Sequence, residues 1–86
     1  MNPIQERLTK KFSPDHLEVI DESHRHRGHA GNTGGGHFKV LIVSGCFEGR
    51  ALIDRHRMVH EALGDLFRSE IHALSLKTLT PGEWGG

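Results

Sequence analysis

The segment His37–Ser44 constrains the fold more than any other. Phe38, Val40 and Ile42 lie on one side of an extended chain, Leu41 and Val43 on the other. A strand that is apolar on both faces belongs at the centre of a sheet. Two further extended segments can flank it. Leu17–Asp21 alternates well enough for a strand with one wet face. Residues 71–79 place His72, Leu74 and Leu76 on one parity, so that His72 heads the row turned toward the core.

Helical spacing fills the intervals. Asn2 is positioned to cap a first helix with Pro3 at its first position and Gln5 completing a capping box. Ile4, Leu8 and Phe12 then form one stripe, while Glu6, Arg7, Lys10 and Lys11 face outward. Ser13-Pro14 ends that helix near residue 12, because a residue before proline avoids helical backbone angles. From Asp54, a candidate N-cap, Val59, Leu63, Leu66 and Phe67 repeat at helical spacing, with Arg57, Glu61, Asp65 and Arg68 opposite. Thr80-Pro81-Gly82-Glu83 is a second capping box and predicts a short terminal turn that folds Trp84 back. The order α-β-β-α-β-α predicts an α+β fold, a three-stranded sheet with helices on one face.

Residues 23–36 carry no apolar side chain except Ala30 and are dense in glycine and histidine. Such a segment offers too little burial to offset its ordering entropy, which predicts a mobile loop within a single domain spanning 1–86. At 86 residues the chain can bury roughly 60–65% of its unfolded surface, enough for one modest core. No apolar run approaches the roughly 20 residues of a membrane helix, and no signal-peptide core stands at the N-terminus. One cysteine, Cys46, excludes an internal disulfide and fits a reducing compartment. The expectation is a soluble cytoplasmic domain.

Formal charge is zero with the eight histidines neutral, so nothing global drives the chain onto nucleic acid or an anionic membrane. Protonating the histidines makes it basic, so electrostatic binding should strengthen as pH falls toward about 6.5.

Eight histidines against one cysteine favour a nitrogen-donor site over a thiolate site, for zinc or iron alike. His24, His26 and His29, with His37 at the strand entrance, are candidate ligands, against the plainer reading of solvated polar residues. On spacing alone, His72 reads as a half-buried structural residue. His56 reads as helix-start structure, its ring bonded to a nearby backbone group.

Enzymatic readings fare poorly. Cys46 has no acid or base partner nearby in sequence, and the carboxylates are scattered. His56 and His60 have half the spacing of a zinc-protease helix, yet Arg57 stands where such helices carry glutamate. No phosphate-binding glycine pattern precedes a helix. Arg50, Arg55 and Arg57, with Arg25 and Arg27, could form a basic side for nucleic acid. However, the chain lacks both exposed stacking aromatics and a Gly-x-x-Gly loop between helices.

Several segments in fixed order carry a resemblance. They are Glu22-Ser23-His24, His37-Phe38-x-Val40-x-Ile42-Val43-Ser44, Phe47-Glu48-Gly49, Arg55-His56-Arg57-x-Val59-His60, Ile71-His72-Ala73-Leu74 and Thr80-Pro81-x-Glu83-Trp84. Together they resemble the BolA family over about residues 3–84. The resemblance implies a fold similar to class II KH domains and no catalytic activity. It also implies partnership with a monothiol glutaredoxin, with which the chain would share a bridging [2Fe–2S] cluster in iron–sulfur trafficking or iron regulation. Alone, the protein is then expected to be a monomer that binds no cluster tightly. The implied ligands are His72 and a residue of the first inter-strand loop, where His29 matches best and His26 is the reserve. Cys46 is not at the family's loop-cysteine position. The family also implies an alternative: a DNA-binding transcriptional regulator of morphology and stress response, with Arg50, Arg55 and Arg57 contacting phosphates.

Overall fold

The computed structural model describes residues 3–22, 36–69 and 71–85. Helix α1 (Pro3–Phe12) leads to β1 (His16–Asp21) and β2 (Gly36–Val43). A 3-10 turn, Gly45–Phe47, precedes α2 (Leu52–Leu63) and the short α3 (Leu66–Ser69). Strand β3 (Ile71–Leu79) and α4 (Pro81–Trp84) complete the chain. The expected α+β fold is present, with β2 central in the order β1-β2-β3. β1 runs antiparallel to β2, and β3 parallel to it.

Register assigns the faces. Val40 pairs with Val19 and Leu76, and Ile42 with Leu17 and Thr78, so these side chains share one face. On that face Phe38, Val40 and Ile42 join Ile4, Leu8 and Phe12 of α1, Phe47, Val59 and Leu63 in a single core. The opposite face carries Glu18, Ile20, Lys39, Leu41, Ser75 and Lys77, which line a shallow groove of about 340 Å³. The described helices therefore cover one face.

Local chemistry sets the element ends. Ser13 adopts φ 44°, a left-handed step that stops α1 before Pro14. The Ser44 hydroxyl donates to the Phe12 carbonyl at 2.9 Å and accepts from the Cys46 N–H at 3.1 Å. Its own N–H donates to the Leu79 carbonyl at 3.0 Å. One buried serine thus joins α1, the 3-10 turn and β3. Phe47 then enters the core against Phe12, with ring centroids 5.3 Å apart, and Gly49 takes φ +76° to turn the chain toward α2.

Five boundaries differ from the sequence reading, the first being β1, which begins one residue earlier, at His16. Gly36 already belongs to β2, and Ser44 lies beyond it. Helix α2 begins at Leu52 with Ala51 as its N-cap and no side-chain cap bond, so Asp54 sits inside the first turn. Leu66 and Phe67 fall in a separate helix because Gly64 closes α2 in a non-helical conformation. Arg7, read as outward-facing, reaches across to the end of α2, donating to the Ala62 carbonyl at 3.1 Å and to Asp65 at 2.8 Å. That ion pair raises the Arg7 pKa and lowers that of Asp65. Asn2 and the 23–35 segment with its expected mobile loop lie outside the described residues.

Candidate metal centre at the open end of the sheet

Because β2 and β3 run parallel, their first residues lie at the same end of the sheet. The register there shifts by one: Gly36 pairs with Ile71, but His37 with Ala73. β3 therefore carries one residue more than β2 at this point, and that residue is His72. An inserted residue of this kind breaks strict alternation and re-aims its side chain.

This corrects the parity argument for His72. Ile71 is the buried residue that leads the core-facing row, and His72 is exposed. The missed signal was the glycine run ending at Gly36, since glycine in a strand often marks a bulge or a close backbone approach.

The shift brings His72 against His37, whose ring centroid is 5.4 Å away at an interplanar tilt of 45°. His37 shares the uncovered face with Lys39 and Leu41 by alternation along β2. Its carbonyl accepts from the Glu22 N–H at 2.7 Å, tying the end of β1 to the start of β2. Two imidazoles from separate strands thus stand where the segment holding His24, His26 and His29 enters β2. The positions of those three residues lie outside the described residues. Among the described residues no cluster of three or more His, Cys, Asp or Glu could hold a metal ion. Cys46, exposed, follows the far end of β2, more than about 20 Å away at some 3.3 Å per strand residue.

The remaining candidates separate cleanly. His56 does not bond a backbone group through Nε2, which is buried without a partner among the described residues. His60 stacks on Phe67 across the α2–α3 break, with centroids 5.0 Å apart. Arg55 is committed elsewhere: its guanidinium donates to both Glu83 oxygens, to the Arg50 carbonyl and to the Thr78 carbonyl, with only 11% of its side chain exposed. It is therefore not presented to a phosphate backbone. Arg50 and Arg57 remain exposed, and Arg57 has Asp54 at 3.8 Å as its ionic neighbour among the described residues.

Near the end of the chain the capping box forms as predicted, with Thr80 and Glu83 exchanging side-chain-to-backbone bonds. Trp84 lies over His16, centroids 4.7 Å apart and nearly parallel at 17°. No helix among the described residues is long and apolar enough to cross a membrane.

Comparisons with known proteins agree with this architecture. A family model described as "BolA-like protein" matches residues 8–83. The "DNA-binding transcriptional regulator BolA" of Escherichia coli is 45% identical over 83 residues, covering 96% of this chain and 77% of that protein. The "SufE-like protein 1, chloroplastic/mitochondrial" of Arabidopsis thaliana is 43% identical over 86 residues, covering 93% of this chain but only 23% of that protein. Among solved structures, "BolA1 from Arabidopsis thaliana" superposes with a TM-score of 0.81 at 41% identity, covering 93% of this chain and 89% of that one.

Proposed function

The chain belongs to the BolA family, and from that premise we propose that it is a non-enzymatic partner of a monothiol glutaredoxin, sharing a bridging [2Fe–2S] cluster in iron–sulfur trafficking or iron regulation. The observation that carries the reading is the exposed His72, turned out of the core at the sheet's open end beside the entry of the histidine-rich segment. A buried His72 would have been useless as a ligand to a shared group. The residues fit: His72 and a loop histidine, His29 with His26 in reserve, would hold one side, and a glutaredoxin thiolate with a glutathione thiolate the other. A cluster held by mixed thiolate and imidazole ligands supplies electron transfer at a potential raised relative to all-thiolate ligation.

The protein's own contribution is positional. The shifted register holds His72 outside the core, and neighbouring backbone pairing fixes β3 against β2 so that the imidazole is presented without reorganisation. Two ligand imidazoles cannot by themselves complete the four-ligand set of a [2Fe–2S] cluster, so the isolated chain is a poor cluster host and a monomer awaiting its partner. Anaerobic co-reconstitution with a monothiol glutaredoxin and glutathione, followed by visible circular dichroism, tests the reading. A spectrum distinct from that of the glutaredoxin homodimer supports it; an unchanged homodimer spectrum overturns it.

A second reading has its own support in the name of the Escherichia coli relative, a DNA-binding transcriptional regulator. Here Arg50 and Arg57, both exposed, would contact phosphates, with Arg55 shaping the surface from behind. Titration of a promoter fragment against excess random duplex at near-physiological salt separates the two. Fragment preference lost on charge reversal of Arg50 and Arg57 would favour the regulator. Binding that random duplex competes away equally would leave only weak electrostatic attraction.

A further inference from the structure

The His37–His72 pair has a geometry that a mere ring contact does not require. When two imidazoles bind one ion, each nitrogen lies about 2.0–2.1 Å from the metal. Each ring centre then sits roughly 3.2 Å from it, which at a tetrahedral angle separates the two centres by about 5.2 Å. The observed centroid separation is 5.4 Å. The rings are tilted by 45° rather than stacked. The two rings come from adjacent parallel strands whose backbones are hydrogen-bonded to each other, so the pair is held by the sheet rather than by a loop.

We infer that His37 and His72 form a two-imidazole chelate for a single borderline divalent ion of the zinc type, bound by the protein alone. Neutral imidazole suits such ions, and the remaining positions are filled by water or by a donor from an approaching molecule. Two protein ligands are too few for a closed structural zinc site, so the proposed ion is exchangeable. The site shares His72 with the cluster reading and does not depend on it. A mononuclear ion held here would occupy the imidazole that a bridging cluster requires, so the two would exclude one another.

Zinc titration of the full chain, without glutaredoxin or iron, provides the test. Calorimetry gives the stoichiometry, and long-range ¹H–¹⁵N spectra of the imidazoles identify the rings that move. The expected result is one zinc per chain, with His37 and His72 shifting together. His37→Gln and His72→Gln should each weaken binding by an order of magnitude or more while keeping a folded amide spectrum. A His24→Ala, His26→Ala, His29→Ala triple variant should retain the event. Retention in His37→Gln, loss in the triple loop variant, or no zinc binding by the unaltered chain would each overturn the assignment. Because no cluster is present, none of these outcomes bears on the glutaredoxin partnership.

Discussion

The Arg55 guanidinium donates to both carboxylate oxygens of Glu83, at 2.8 and 3.3 Å, and so fastens the start of α2 to the last turn of the chain. Glu83 also accepts from the Thr80 N–H at 2.9 Å within the capping box. The forked, planar geometry of arginine suits this pairing, which a lysine would not reproduce.

That arrangement predicts an acid transition. The Arg55 side-chain bonds, with help from the Thr80 N–H, lower the Glu83 pKa from 4.5 to about 2. A carboxylate with a depressed folded-state pKa adds stability that is fully present above its unfolded value and is lost as pH falls through the folded one. Docking of α4 should therefore be intact above 4.5 and fail as pH approaches about 2. Trp84 is the only tryptophan and lies on His16, the first residue of β1, so its fluorescence reports the event. In Glu83→Gln the step in that interval should disappear; a step that persists would assign it to another carboxylate.

Core and surface leucines should differ sharply. Leu8 is fully buried within the α1 stripe, whereas Leu52 at the start of α2 is 59% exposed. Leu8→Ala should cost about 2–5 kcal/mol of folding stability, and Leu52→Ala no more than roughly 0.5 kcal/mol. Urea denaturation followed by far-ultraviolet circular dichroism measures both, and comparable losses would contradict the assigned core.

Thr78 should tolerate, and gain from, the loss of its hydroxyl. It is 1% exposed, and its Oγ1 is buried without a hydrogen-bond partner among the described residues. An unsatisfied buried polar group costs about 1–3 kcal/mol, so Thr78→Val should raise the denaturation midpoint. A lowered midpoint would mean that an ordered water satisfies the hydroxyl.

For the proposed cluster role, His72→Ala should abolish the spectrum specific to the glutaredoxin complex, and His29→Ala should weaken it or transfer dependence to His26. Cys46→Ser should leave that spectrum unchanged, since Cys46 follows the opposite end of β2. Dependence on Cys46 would refute the ligand assignment.

What could be read from the sequence was the part governed by local rules. Strand β2 announced its central place through apolar residues on both faces, α1 through Ile4, Leu8 and Phe12, and α4 through the Thr80–Glu83 box, because each depends on neighbours in the chain. The break at Gly64 was obscured because Leu66 continues the buried stripe on the far side of it. His72 was misplaced for a different reason: its exposure comes from a register shift between two strands, and alternation along one strand carries no information about its partner. Arg55 likewise looked like a free cation until Glu83, distant in sequence, was brought beside it.

The parallel pairing of β2 with β3 has a kinetic side. His37 and His72 come together only after the crossover through α2 and α3 has closed, a non-local step that is slow relative to hairpin formation between β1 and β2. The paired imidazoles are thus a property of the completed sheet and absent from any intermediate lacking β3. Whatever binds there selects forms in which β3 is paired with β2, and in doing so stabilises that pairing.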